Sequence, residues 1–251
     1  MQPRSLQHSP MSFSVDVVPY GDLPDQFVHV YRPRAESSGT VVSIHGGYWR
    51  STYGLDLQEP IAEHLAGRGW TVLNIEYRRV ENGGPAVWPE MSSDVLDALS
   101  LTAEFDGPIV AIGHSAGGQL ALWAAAQAST PIDAVVALAP VSDLFLADAL
   151  ELSAHATKAL LGESATDRPD LYATASPLYL LPLGVPQLIV HGRADVDVPF
   201  DMVPEYVESA TAAGDDIELI DPKNVDHMQL IDPTHSVWRA IDSWFDELGQ
   251  H

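Results

Sequence analysis

Short runs with an apolar residue at every second position alternate along the chain with longer stretches whose apolar positions recur every three or four residues. Residues 13–18 and 26–32 alternate apolar and polar side chains, as edge or half-buried strands do. Residues 40–44 (TVVSI), 71–75 (TVLNI), 109–112 (IVAI), 135–139 (VVALA), 187–190 (QLIV) and 217–220 (IELI) are short, mostly continuous in apolar character and rich in β-branched residues, the mark of strands covered on both faces. Helical spacing fills the gaps. Leu57, Ile61 and Leu65 recur every four residues within 57–67, with Gly67 and Gly69 as stop signals. Ser92 and Ser93 lead into a helix carrying Val95, Leu96, Leu99 and Leu101, and 116–128 and 199–213 also read as helices. Residues 237–248 set Trp238, Ile241, Trp244 and Phe245 along one stripe. Strands separated by helices predict an α/β fold, with a mostly parallel central sheet and helices on both faces. Between residues 144 and 184 the alternation lapses into short helices and turns, the expected form of a small helical cap. No repeat, low-complexity tract or polar linker divides the chain, so residues 1–251 are expected to form a single domain.

Composition adds three constraints. With 251 residues, 46% of them hydrophobic, the chain can bury one sizeable core. Its 12 Lys+Arg against 35 Asp+Glu leave a net charge of −23, and such a surface repels phosphate backbones and anionic bilayers, which disfavours nucleic-acid and membrane partners. Cysteine is absent, which removes disulfides, thiolate metal sites and thiol nucleophiles together. The N-terminal segment MQPRSLQHSPMSFSV has no apolar stretch of signal-peptide length, and no run reaches the roughly 18 apolar residues of a membrane span; a cytoplasmic protein is the expectation.

Candidate chemistry sits at the ends of the predicted strands. GHSAGG (113–118) follows the strand IVAI and opens the helix QLALWAAAQA, so Ser115 stands on a strand–turn–helix corner. Small flanking residues are needed there because the turn is tight, and the hydroxyl is presented above the sheet with the Ala116 N–H at a helix N-terminus. HGGYWR (45–50) follows TVVSI. Its glycines let backbone N–H groups turn toward a developing oxyanion, Gly47 with either Gly46 or Tyr48, while Tyr48 and Trp49 are candidates for an aromatic substrate wall. A serine nucleophile needs a base, and the base needs an acid to fix its tautomer. After QLIV, the segment HGRADVDVP (191–199) offers two carboxylates, Asp195 and Asp197. His227 follows the last predicted strand and precedes the final helix. Of the ten histidines, His45, His114 and His191 lie in the motif loops, where bracing hydrogen bonds are expected. His8, His29, His64, His155, His235 and His251 fall outside strand ends and are expected at the surface. No HExxH, HxH, Walker or dinucleotide fingerprint occurs, so no metal and no cofactor is expected.

Taken in order and spacing, HGGYW, GHSAGG, HGxxDxxVP and a late histidine resemble the α/β-hydrolase superfamily across nearly the whole chain. HGGYW is similar to the motif of kynurenine formamidases, with Tyr48 where esterases and lipases of the hormone-sensitive-lipase type usually carry a third glycine. The resemblance implies Ser115, Asp195 and His227 as a catalytic triad, with Asp195 rather than Asp197 as the acid, and the 46–48 loop with Ala116 as oxyanion hole. It implies a serine hydrolase of small carboxylic esters or aryl formamides, N-formylkynurenine being the most specific expectation. A prolyl-oligopeptidase-like peptidase and a non-catalytic binding protein are the alternatives. The negative surface favours a neutral or zwitterionic small-molecule substrate unless Arg50, Arg78, Arg79 or Arg193 lines the entrance.

Overall fold

In the computed structural model, which describes residues 12–248, each predicted strand forms within a residue or two of its expected place. His8, His251 and most of the N-terminal segment lie outside the described residues. The strands are β1 (Phe13–Pro19), β2 (Phe27–Pro33), β3 (Thr40–Ile44), β4 (Thr71–Ile75), β5 (Ile109–His114), β6 (Ala134–Leu138), β7 (Gln187–Val190) and β8 (Ile217–Ile220). They join in one sheet of order β1-β2-β4-β3-β5-β6-β7-β8. The β1–β2 and β2–β4 pairings are antiparallel and all others parallel. At the far edge, β8 pairs only with β7, and its four residues are at most half-buried.

The period of two along each inner strand divides the core into two layers. Val42 and Ile44, Ile109 and Ala111, and Val135 and Ala137 face one side, with α2 (Glu90–Ser100), α3 (Ala116–Ala125) and α7 (Met202–Ala213). Val41, Val110, Ile112 and Val136 face the other, with α1 (Glu59–Gly67) and α8 (Trp238–Leu248). Helix α8 buries Trp238, Ile241 and Phe245, one helical stripe, whereas every residue of α3 is buried, as its all-round apolar sequence requires. Two helices are shorter at the start than their periodicity suggests. Leu55–Gln58 is a 3₁₀ turn that hands over to α1, with Pro60 in the first turn where its missing N–H costs nothing, and Pro199 sits in the turn before α7.

Between β6 and β7 the chain forms α4 (Leu144–Ala149), α5 (Leu152–Leu161), α6 (Pro169–Ala175) and a 3₁₀ turn at Pro177–Leu180. Asp143 caps α4 by accepting the Phe145 N–H at 2.9 Å. Leu144, Ala147, Leu160, Tyr172 and Ala175 from this stretch bury into the same cluster as α3. Of the histidines expected at the surface, His155 is exposed and His29, His64 and His235 are half-buried. Among the described residues, no helix is long and apolar enough to cross a membrane.

Candidate active site

Because β3 and β5 to β8 run parallel, the loops leaving their C-terminal ends open onto one edge of the sheet, and those loops carry all four motifs. Ser115 occupies the corner between β5 and α3 with φ 56° and ψ −119°, a region that non-glycine residues seldom enter. Its N–H donates to Leu138 O at 2.8 Å and its carbonyl accepts from Gln119 N at 3.1 Å, so strand β6 and helix α3 hold the strained turn between them. Steric room explains the flanking glycines. A Cβ on Gly117 would lie 2.0 Å from the Ile44 carbonyl oxygen, and one on Gly113 would lie 2.1 Å from the Gly117 oxygen. The Ala116 N–H stands in the first turn of α3, where no intrahelical carbonyl reaches it.

Asp195 and His227 meet across the gap between the β7 and β8 loops. His227 Nδ1 lies 2.7 Å from Asp195 Oδ2. Asp195 Oδ1 accepts the N–H groups of Asp197 and Val198, both at 2.9 Å, so the carboxylate plane is fixed from its other end. Gly192 permits the approach: a Cβ there would lie 2.0 Å from Val225 O, which accepts the Ala194 N–H at 3.1 Å. Burial alone would raise the Asp195 carboxyl. The hydrogen bonds from His191 and His227, the His227 charge and the Val198 amide outweigh it and hold the group well below the usual carboxylate range. An ionised carboxylate can only accept, so His227 Nδ1 carries the proton of this bond. Asp197, the other carboxylate of the motif, is exposed and reaches the site through its backbone, whose carbonyl accepts the Tyr48 hydroxyl.

His114 and His191 brace this pair. The His114 ring centre is 4.4 Å from that of His227, and its Nε2 lies 3.1 Å from the His227 carbonyl oxygen. Burial and the neighbouring His227 hold His114 well below the ordinary histidine value, so the neutral ring donates that bond. His191 Nε2 lies 2.9 Å from Val198 O and 3.3 Å from Asp195 Oδ2.

The HGGYWR loop places its residues in different surroundings. Gly47, at φ 109°, and Tyr48 line a cavity together with Ser115 and His227. Gly46 instead packs beneath the corner, where a Cβ would lie 2.7 Å from His114 O and 3.0 Å from Ser115 Cβ. Among the described residues, the N–H groups of Gly46, Gly47, Tyr48 and Ala116 donate to no backbone acceptor. Burial and the Asp197 and Asp195 charges push the Tyr48 phenol up to about 12, which keeps it a hydrogen-bond donor at neutral pH. Trp49 is not part of a substrate wall. It is 1% exposed and donates from Nε1 to Gln119 Oε1 at 3.0 Å, because an indole inside the core needs an acceptor for its one N–H.

The cavity holds about 100 Å³ and is completed by Tyr53, Leu57, His114, Asp197 and Met228. Tyr53, Leu57 and Met228 carry no motif. Tyr53 and Met228 are marked in the sequence only by their place just after HGGYWR and just after His227, and Leu57 only as a position of the helical stripe that continues into α1. No residue of 144–184 lines the cavity, and neither does any of the four arginines considered for its entrance. Arg78 pairs with Asp94, Arg79 with Glu76 and Asp25, and Arg193 with Asp221, while Arg50 donates to the Ser153 carbonyl. Asp195, Asp197 and His227 bring three potential metal-ligand atoms within 4.8 Å of one another, but the Asp195–His227 hydrogen bond already engages two of these side chains.

The chain is similar to known esterases. Esterase LipC of Mycobacterium tuberculosis is 24% identical over 220 residues, which cover 77% of this chain and 54% of LipC. LipM of the same organism, described as a probable carboxylic ester hydrolase, is 28% identical over 203 residues, covering 70% of this chain and 46% of LipM. The chain thus spans about half the length of these two relatives. A truncated carbohydrate esterase from gut microbiota superposes with a TM-score of 0.82 at 18% identity, over 97% of this chain and 99% of that one, a likeness of fold. The architecture is the α/β-hydrolase fold. The BD-FAE family model matches residues 28–208, and the chain belongs to the BD-FAE family.

Proposed function

We propose that the chain hydrolyses small, uncharged carboxylic esters, with Ser115 as nucleophile, His227 as general base and Asp195 as its orienting acid. The observation that carries this reading is the strained Ser115 corner sharing one small cavity with a histidine whose Nδ1 is committed to a buried carboxylate. His227 Nε2 takes the Ser115 proton as Oγ bonds to the ester carbonyl carbon, and the Gly47 and Ala116 N–H groups receive the negative oxygen. When the carbonyl re-forms, the alcohol leaves with the proton from His227. Water then repeats the sequence on the acyl-enzyme, releasing the acid and restoring the serine.

Size supports a short acyl group. Typical ligand pockets hold roughly 300–1,000 Å³, so a cavity of about 100 Å³ is small for a ligand site. No cation lines the cavity and Asp197 stands at it, which disfavours carboxylate-bearing acyl groups. A formyl group also fits. N-formylkynurenine is therefore the narrower form of the reading, favoured by HGGYW, whereas the similarity to esterases favours simple esters. Rates on p-nitrophenyl acetate, butyrate and octanoate, run beside N-formylkynurenine and a dipeptide arylamide, separate these readings. The expected result is a kcat/KM at least about 10-fold higher for acetate than for octanoate, since each methylene without a pocket forgoes about 0.8 kcal/mol of burial. Octanoate turned over as well as acetate contradicts the short acyl site. Preference for the arylamide favours a peptidase, and failure of Ser115 to take up a fluorophosphonate favours a binding protein.

A further inference from the structure

Behind the 46–48 loop lies a buried polar cluster for which acyl transfer has so far required no role, formed by His45 and the segment Glu76-Tyr77-Arg78-Arg79. We propose that His45 is held there as a doubly protonated imidazolium, and that it is a positioning residue which aims the Gly47 N–H at the reacting carbonyl. The second half of the proposal presupposes the ester hydrolysis proposed above; the first does not.

His45 is 0% exposed, and each ring nitrogen faces an oxygen: Nδ1 lies 2.7 Å from the Gly46 carbonyl and Nε2 lies 2.9 Å from Glu76 Oε1. A peptide carbonyl has no proton to give, so Nδ1 must carry one. Glu76 is equally unable to donate. Its Oε1 also accepts the Tyr77 N–H at 3.1 Å and lies 3.0 Å from Arg79 Nη1, and its Oε2 accepts the Leu55 N–H at 3.1 Å. Every partner of that carboxylate is a donor, so Nε2 must carry a proton as well. A neutral ring would set a lone pair against an oxygen at under 3 Å in a fully buried site, the arrangement that buried polar groups avoid. Although burial alone would raise the Glu76 carboxyl, the His45 hydrogen bond and charge, the Arg79 charge and the Leu55 amide outweigh it and lower its pKa. The ring cannot swing away. It stacks on Tyr77 with centres 4.3 Å apart and planes 15° from parallel, and the Tyr77 hydroxyl donates to the His45 carbonyl at 2.7 Å.

The consequence for the loop follows from the planarity of the peptide bond. In a trans peptide the carbonyl and the next N–H point in opposite directions. Fixing the Gly46 carbonyl on His45 therefore turns the Gly47 N–H away from His45, on the residue that lines the Ser115 cavity. This selects Gly47 as the oxyanion donor of the loop, and the cation on the carbonyl side strengthens that donor by polarising the peptide. The same acid and arginine also hold the cavity wall. Glu76 accepts from Leu55 N, and Arg79 Nη1 donates to Tyr53 O at 2.6 Å, next to the Tyr53 side chain that lines the cavity.

The test is a ring-proton count on the full chain with ¹⁵N-labelled histidine, in mildly alkaline buffer where exposed histidines are neutral. The expected spectrum has one histidine with two N–H groups, in contact with the Tyr77 ring and absent from His45→Gln. In the same variant, kcat for p-nitrophenyl acetate is expected to fall about 100-fold with KM changed less than about threefold, because the oxyanion bond strengthens only in the transition state. A single ring proton on His45 in the wild-type spectrum overturns the imidazolium, and a folded His45→Gln with wild-type kcat overturns the positioning role. Should His45→Gln fail to fold, the contact with Tyr77 assigns the signal and the wild-type spectrum decides. A wild-type chain without esterase activity defeats the ester reading alone and leaves the proton count standing.

Discussion

Ser115→Ala is expected to lower kcat on p-nitrophenyl acetate by on the order of 10⁴–10⁶, with KM nearly unchanged and the fold intact. No other hydroxyl takes its place, since nothing else lining the cavity is a serine or threonine. Tyr48 is the only phenol there with a bond into the site, and it stays protonated with its hydroxyl committed to Asp197 O. What survives the substitution is the electrostatic part, the Gly47 and Ala116 donors acting on a water-driven reaction, which explains why the loss is not complete. Alanine carries the same backbone strain at φ 56° as serine, and the corner's hydrogen bonds are made by backbone atoms, so the melting temperature should move by only a few degrees. Activity retained in pure Ser115→Ala protein contradicts the assignment of the nucleophile.

Asp195→Asn carries the second large effect, a fall in kcat of about 10⁴. An asparagine amide in that place can present an N–H to His227, which favours the tautomer with its proton on Nε2 and leaves the lone pair on the wrong side of the ring. The same substitution has a signature in stability. The native Asp195 carboxyl titrates well below the roughly 3.9 of an unfolded aspartate, so its contribution to stability is complete above that value and is lost as pH falls through it toward the native pKa. Thermal melts of the two proteins should therefore differ most near neutral pH and converge as the pH drops below about 4. A gap that stays constant on acidification contradicts the buried, ionised carboxylate.

Much of this architecture was legible because one rule per element suffices. Continuous β-branched runs marked β3 to β8, and the apolar stripe of α8 and the uniformly apolar α3 announced their burial. The motif loops fell at strand ends, where parallel strands bring them to one edge whatever their lateral order. Legibility failed where a side chain had two ways to be satisfied. Trp49 follows Tyr48 and could have faced the substrate, but the core offered the Gln119 side-chain oxygen to its indole. Gly46 and Gly47 are identical as letters, and only the neighbours of each, the Ser115 corner below one and the Tyr53 ring beside the other, separate packing from presentation. Apolar residues of the 144–184 insertion bury against the α3 layer, and the cavity wall is left to Tyr53, Leu57 and Met228. Tyr53 and Met228 lie in turns, which have no period to read, and Leu57, which reads as a helical position, sits in the 3₁₀ turn before α1.

The edge position of β8 has a consequence for how such a protein loses function. Ser115 and Asp195 follow strands with a neighbour on each side, whereas His227 follows a strand secured on one side only. Local opening there costs far less than melting the sheet, because few ladder bonds and little buried surface are given up. Fraying of β8 would carry the base away from the acid while β1 to β7 stayed paired.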